Sequence, residues 1–317
     1  MRAQAIVFQA PGSLSVEALE LRTPGPADVE VQVSHTGIST GTERLLWDGT
    51  MPPFPGLAYP LVPGYETVGT VVAAGPEATA VALGECVFVP GSYSFQGVQN
   101  IFGGAGARLV VPHDRVVKVD AQLGPKAILL ALAATSYHLF ALGGTRQPII
   151  YPDLIVGHGT MGRLLARLVL AAGQPAPTVW ETQAVRREGG LGYAVLHPDD
   201  DPRKDYRAIH DVSGDASLLD RLIARLAPGG EIVLGGFYKQ SLSFAFAPAF
   251  MREAQIRVAA QWTKPDLQAV TDLVHSGSLS LEGLITHTST PAEALQAYRT
   301  AFSDPQCLKM ILDWRQA

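Results

Sequence analysis

Cysteine is scarce: the chain of 317 residues holds two, Cys86 and Cys307, far apart and without a CxxC spacing. They cannot form a disulfide framework or a four-thiolate zinc site, and a reducing cytoplasm is the expected setting. The eight histidines stand singly, with no HxxxH or comparable spacing, so no histidine pair on one helix face offers itself to a metal. Positive charge is short as well. Lys and Arg number 24 against 29 Asp and Glu, a net charge of −5, and nucleic acid, whose phosphates need clustered Lys and Arg, is excluded as a partner. Gly, Pro or charge interrupts every apolar stretch approaching the ~20 residues of a membrane span, so no span is expected. The N-terminal MRAQAIVFQAPGS reaches Pro11 before an apolar segment of signal-peptide length forms.

Hydrophobic residues make up 47% of the chain and charged residues 17%, the balance of a packed globular protein. A chain of this length exceeds what one core usually serves, so two domains are expected. As far as Val119 the sequence consists of short apolar runs broken by Gly and Pro, among them AIVF, VEVQVSHTGI, ETVGTVVAAG, ECVFVPG and ARLVVP. That is the pattern of a strand-rich, barrel-like domain with tight turns. Within it the proline- and aromatic-rich segment 47–63, WDGTMPPFPGLAYPLVP, is expected to be an ordered loop or lid, not a helix or central strand. After Pro125 helical spacing takes over in KAILLALAATSYHLFAL, and strand and helix then alternate through LIVGHGTMGRLLARLVLAAG, TVWE, AIHDVSG, LLDRLIARLAPGG and EIVLGGF. This alternation calls for a doubly wound parallel sheet. The expected division is 1–123 with 264–317 in one domain and 124–263 in the other.

Gly157, Gly159 and Gly162, with Thr160 and Met161 between them, follow the strand DLIV and open the helix RLLARLVLAAG. Strand, glycine spacing and helix in that order raise an otherwise weak motif to a dinucleotide-binding turn. Its glycines permit the sharp bend, the approach of a pyrophosphate to backbone and the packing of helix on strand, while the helix N-terminus attracts the anion. The next strand ends at Glu181, about twenty residues on, where a carboxylate accepts ribose hydroxyls and repels a 2′-phosphate, favouring NAD over NADP. Arg186 and Arg187 follow closely and offer the opposite possibility, a 2′-phosphate partner.

GISTGTE at 37–43, GYE at 64–66 and LAPGGEIVLGG at 226–236 resemble the GICGTD, GHE and late cofactor-strand segments of the medium-chain dehydrogenase/reductase family. The resemblance extends over essentially the whole chain. It implies an α/β protein: a GroES-like β-barrel catalytic domain and a doubly wound Rossmann dinucleotide-binding domain. In zinc-dependent members the cysteine of the first motif and the histidine of the second bind the metal. Here Thr40 (or Ser39) and Tyr65 stand at those positions, and the four-cysteine structural lobe is missing. Hydroxyls are poor zinc ligands, so no catalytic zinc is expected and hydrogen bonds must hold the developing alkoxide instead. By the motif match Thr40, Thr42, Glu43, Tyr65 and Glu66 line or back the cleft where nicotinamide and substrate meet. Tyr65 or Thr42 is the expected partner of the substrate oxygen, with Glu43 or Glu66 orienting it or accepting the proton through a relay. The match also brings Thr135 to the nicotinamide carboxamide and Gly235 to the late cofactor strand, while His138 is read as a packed structural histidine.

The run ISTGTERLLWDGTMPPFPGLAYPLVPGYETVG is more specific. It resembles a branch of the family that, in bacteriochlorophyll biosynthesis, oxidises the 3-(1-hydroxyethyl) group of a chlorin to 3-acetyl. The implied substrate is a flat magnesium tetrapyrrole, with Trp47, Phe54 and Tyr59 expected to cover the macrocycle and His113 read as a surface residue at a strand end, the alternative being an approach to the magnesium's open axial position. Other readings use the same cofactor site: a zinc-free quinone or enone reductase or another alcohol dehydrogenase of the family, and an NAD(H)-binding protein with little catalysis. A homodimer is expected, the strand IRVAAQWT extending a sheet across a two-fold axis, and its location is cytoplasmic or peripheral to photosynthetic membranes.

Overall fold

The computed structural model describes residues 1–315 and divides into two compact units, Met1–Ala131 together with the chain from Glu282 onward, and Leu132–Leu281. The first unit is built from two sheets. The larger runs in the order His287–Ser289, Met310–Asp313, Asp28–Ile38, Thr67–Ala74, Cys86–Val89 and Val117–Lys118, with Arg108–Pro112 also paired to Asp28–Ile38. The smaller runs Ser13–Glu20, Arg2–Ala10, Leu61–Val62, Gln99–Asn100. The 11-residue strand Asp28–Ile38 organises this unit because its β-branched residues Val29, Val31 and Val33 alternate inward and are fully buried. Gly69 opposite it is required by close approach: a Cβ there would lie 2.3 Å from the carbonyl oxygen of Gln32. Phe8 anchors the core, edge-on to Tyr298 at 5.2 Å and to Trp47 at 5.8 Å.

The segment expected to be a continuous loop from Trp47 begins as helix. Thr42–Asp48 forms a short α-helix ending at Gly49, which adopts the left-handed conformation (φ 66°) and returns its amide to the carbonyls of Leu45 and Leu46. Trp47 therefore sits in the last turn of a helix, and irregular backbone follows only after it, up to the strand Leu61–Val62.

The second unit contains a six-stranded, wholly parallel sheet in the order Ala194–Leu196, Thr178–Trp180, Leu154–Val156, Tyr206–Asp211, Leu226–Leu234, Gln255–Val258. The order reverses at Leu154–Val156, which creates the switch point at which open α/β sheets bind ligands. Helix Thr160–Ala171 buries Leu164, Leu165, Leu168 and Val169, the i, i+1, i+4, i+5 stripe of a helix lying on a sheet.

This unit begins at Leu132 and runs to Leu281, so the residues 264–281, placed by sequence with the other domain, pack here. The reason is polar as much as apolar. Helix Lys264–His275 opens with a capping box in which Asp266 accepts from the amide and hydroxyl of Thr263, at 2.8 and 2.7 Å. The same buried carboxylate accepts from Gly143 N at 3.0 Å and bonds His138 Nδ1 at 2.7 Å. His138 is thus a packed cap partner. One segment, Ala121–Gly144, is apolar and long enough to cross a membrane by length and composition, and 67% of its most apolar window is buried inside the protein.

Candidate active site

In the first unit the segment 37–43 and the segment 64–66 meet. Gly37 N donates to the carbonyl of Glu66 at 2.7 Å, and a Cβ on Gly37 would fall 2.2 Å from Glu66 Oε2, so this glycine is what lets the carboxylate pass the strand. Beyond it the Glu66 carboxylate takes both its oxygens to Lys309 Nζ, at 2.7 and 2.9 Å, and Nζ also donates to Ile38 O at 3.2 Å. Both side chains are essentially inaccessible to solvent, 0% and 1% exposed. Glu43, equally buried, accepts from Tyr298 Oη at 2.8 Å and from Ser39 N at 3.3 Å. Burial foremost, and the nearby Glu66 charge, raise its pKa to about 8 against the donors that stabilise its anion. Tyr65 is half-buried. Its hydroxyl lies 2.6 Å from Ser39 Oγ and bonds Thr42, and its ring stands edge-on to Phe102 at 5.1 Å. Burial first, then Glu66, push its pKa well above the ordinary phenol value. The group is a hydrogen-bond donor at neutral pH and a poor base.

The five sequence-selected residues therefore separate. Tyr65 and Glu43 both meet Ser39, at its hydroxyl and its amide, and Thr42 bonds Tyr65; Glu66 faces Lys309; Thr40 is half-buried. Of the aromatic candidates, Trp47 packs on Phe8 and Phe302, and Tyr59, half-buried, donates its hydroxyl to Leu46 O. Phe54 is exposed. His113, half-buried, accepts at Nδ1 from Ala80 N at 3.1 Å.

In the second unit the glycine turn has the expected local form. Gly157 adopts φ 102°, and a Cβ on Gly162 would sit 1.9 Å from Gly157 O, so both positions demand glycine. Gly159 is the N-cap of helix Thr160–Ala171, and nothing lies within 4 Å of where its Cβ would be. That open space at a helix N-terminus is the cradle a pyrophosphate requires. Glu181 follows the strand Thr178–Trp180, and its oxygens accept from His158 N at 3.1 Å and Gln183 N at 2.9 Å. Arg187 turns its guanidinium onto the carbonyls of Glu181 and Thr182, at 3.3 and 2.8 Å. Helix Leu130–Ala141, which carries Thr135, reaches the turn through Ser136, whose hydroxyl donates to Met161 O at 3.3 Å. Gly235 donates to Asp211 O at 2.8 Å, and a side chain there would strike Leu139.

Residues 25–121 match the alcohol dehydrogenase GroES-like domain. The chain is 54% identical to the 2-desacetyl-2-hydroxyethyl bacteriochlorophyllide A dehydrogenase of Rhodobacter capsulatus, over 318 residues that cover 100% of both chains. It is 53% identical to the protein of the same name in Cereibacter sphaeroides, over 99% of both. The chain belongs to this branch of the medium-chain dehydrogenase family. Solved structures share its fold at lower identity. A short chain alcohol dehydrogenase from Escherichia coli CFT073, complexed with NADH, superposes with a TM-score of 0.84 at 21% identity, covering 98% of this chain and 99% of the other. Acetophenone reductase from Geotrichum candidum, in complex with NAD, gives 0.83 at 19% identity over 100% and 98%.

Among the described residues of this medium-chain dehydrogenase, no group of three or more His, Cys, Asp and Glu is placed to hold a metal. Where zinc-dependent members carry their first two ligands, hydroxyls bond one another, and the adjoining Glu66 is taken by an ammonium group. That donor set does not fit zinc. The residues that complete the cluster, Lys309 and Tyr298, were not foreseen: they lie 243 and 255 positions from their partners. The one available signal was a lysine immediately before the apolar run MIL of the terminal segment LKMILDW.

Proposed function

We propose that the chain oxidises the secondary alcohol of a hydroxyethyl substituent on a bacteriochlorophyllide ring to the acetyl group, passing the hydride to NAD, without catalytic zinc. Full-length identity of 54% to an enzyme named for that substrate carries the reading. The coenzyme, when bound, supplies the hydride acceptor. The glycine turn holds its pyrophosphate, and Thr135 meets its carboxamide. Glu181 favours the unphosphorylated ribose, since its carboxylate repels a 2′-phosphate and Arg187 already serves two backbone carbonyls.

Tyr65 and Thr42 hold the substrate oxygen, with Ser39 Oγ bonded to the Tyr65 hydroxyl; Glu43, held by the Ser39 amide and by Tyr298, has a pKa raised to about 8, which suits a carboxyl that takes up a proton at working pH. Lys309 with Glu66 keeps a fixed charge pair behind this hydroxyl cluster. Phe54, exposed on the proline-rich loop, is the aromatic available to meet a macrocycle, while Trp47 and Tyr59 fix the base of that loop. The substrate, a magnesium tetrapyrrole, is bound by its apolar faces.

A panel of hydroxyethyl bacteriochlorophyllide, a quinone and an enone, each with NAD(H) and NADP(H), tests the assignment. Turnover of the hydroxyethyl compound alone, faster with NAD, is expected; quinone or enone reduction with no alcohol oxidation would overturn it. The protein is further proposed to be a homodimer. Gln255–Val258 is an edge strand ending in Val258, and Phe246, Phe250 and Met251 lie on the helix that precedes it in the chain; all four side chains are 65–75% exposed, apolar surface and an unpaired ladder that a second copy covers.

A further inference from the structure

Segment 182–193, which follows Glu181, has only one short 3-10 turn, Ala184–Arg186, and exposes most of its residues. Such a segment is held by whatever accepts or donates to its backbone. Here three of its carbonyls turn inward to one guanidinium. Arg163 donates Nη2 to Arg186 O and Glu188 O, at 3.2 and 2.8 Å, and Nη1 to Gly189 O at 3.2 Å, while Nε reaches back to His158 O at 3.1 Å. Gly189 has φ 78°, and a Cβ there would lie 2.5 Å from Nη1, so the glycine makes room for the guanidinium.

His158, the residue between the first two glycines of the turn, is fully buried and continues the arrangement. Its Nδ1 lies 2.6 Å from Arg186 O and its Nε2 2.9 Å from Tyr193 Oη. A carbonyl only accepts, so Nδ1 carries the proton and Nε2 accepts from the tyrosine. Burial depresses the imidazole pKa to about 4, and the ring is neutral, as this pairing requires. The amide of His158 donates to Glu181. One histidine therefore ties the glycine turn to the carboxylate by its backbone and to the following segment by its ring.

We infer that Arg163, His158 and Tyr193 are positioning residues for the coenzyme, a latch that holds the turn, Glu181 and segment 182–193 as a preformed adenosine site with an unphosphorylated ribose as its target. The inference rests on the nicotinamide coenzyme reading above. Hydride chemistry does not need these side chains; the orientation of Glu181 does. A lysine at 163 keeps the charge and loses the planar fork that serves four carbonyls at once, and Tyr193→Phe removes one bond with little change of volume.

The test is a titration of the full chain with NADH and with NADPH by nicotinamide fluorescence, alongside amide hydrogen exchange of 182–193 without coenzyme, for the unaltered protein, R163K and Y193F. Expected for R163K are NADH binding weaker by about tenfold, a narrowed preference for NADH over NADPH, faster exchange across 182–193 and a kcat at saturating NAD within about twofold of normal. Y193F should show the same changes to a smaller extent. Unchanged NADH affinity and exchange in both variants, with the unaltered protein binding NADH, would overturn the latch alone. An unaltered protein that binds neither coenzyme would overturn the coenzyme reading and the latch with it.

Discussion

Glu43 and Tyr65 lie on either side of Ser39, and burial protonates both, but only one of them within reach of physiological pH. With a pKa raised to about 8, Glu43 ionises where the enzyme works, and Tyr65 does not. If Glu43 takes up the alcohol proton, kcat/KM for oxidation climbs with pH toward about 8, and Glu43→Gln removes that limb. A limb that persists in the variant assigns the proton to another group. Stability carries an independent sign. The folded pKa exceeds the ordinary 4.5, so the native state binds a proton that the unfolded chain releases, and stability falls as pH rises from about 4.5 to about 8. Glu43→Gln should therefore gain on the unaltered protein across that window in thermal unfolding, reading directly on the buried carboxyl. At the neighbouring pair, Lys309→Met leaves the Glu66 carboxyl buried without its partner, a loss of about 3–5 kcal/mol in denaturant unfolding. Adding Glu66→Gln to it should recover most of that loss; equal instability of single and double variants would mean that the pair is not the cause.

Elements differ in how well local sequence announces them. The dinucleotide turn is legible in the sequence because its causes are short-range: a left-handed Gly157, and a Gly162 whose Cβ would sit 1.9 Å from Gly157 O, lie within six residues of sequence. Helix Lys264–His275 shows the opposite case. Its start is set locally by Pro265 and a capping box, but its allegiance depends on Asp266 meeting His138 and Gly143, 128 and 123 positions away. No periodicity reports such a contact, and the helix was assigned to the other domain. Trp47 was likewise misplaced in a loop because five prolines downstream outweighed the Gly49 that closes the helix behind it. Asp266→Ala strips the cap from the helix and partners from His138 and Gly143 at once. It should cost about 2–4 kcal/mol and lower the melting temperature of the second unit. A loss under about 0.5 kcal/mol would mean that the apolar face alone holds this helix.

At the scale of the whole molecule, composition already excluded nucleic acid and a disulfide scaffold, and the order of motifs along the chain pointed to the family that full-length identity then established. What composition could not show is the exposed set Phe246, Phe250, Met251 and Val258 on an edge strand and the helix that precedes it in the chain. Phe246→Asp with Phe250→Asp should convert a dimer to monomer in light scattering; a monomeric unaltered protein would remove the dimer from consideration. The zinc-free site is the larger claim, since it assigns alkoxide stabilisation to Tyr65 and Thr42, with Ser39 bonded to Tyr65, where a related protein is named for zinc. The most direct measurement is oxidation of hydroxyethyl bacteriochlorophyllide by NAD with protein dialysed against a strong chelator, with bound zinc quantified on the same sample. Stoichiometric acetyl product and NADH at undiminished rate, with zinc far below one per chain, is the expected result. Activity that vanishes with the metal and returns on adding zinc would contradict it.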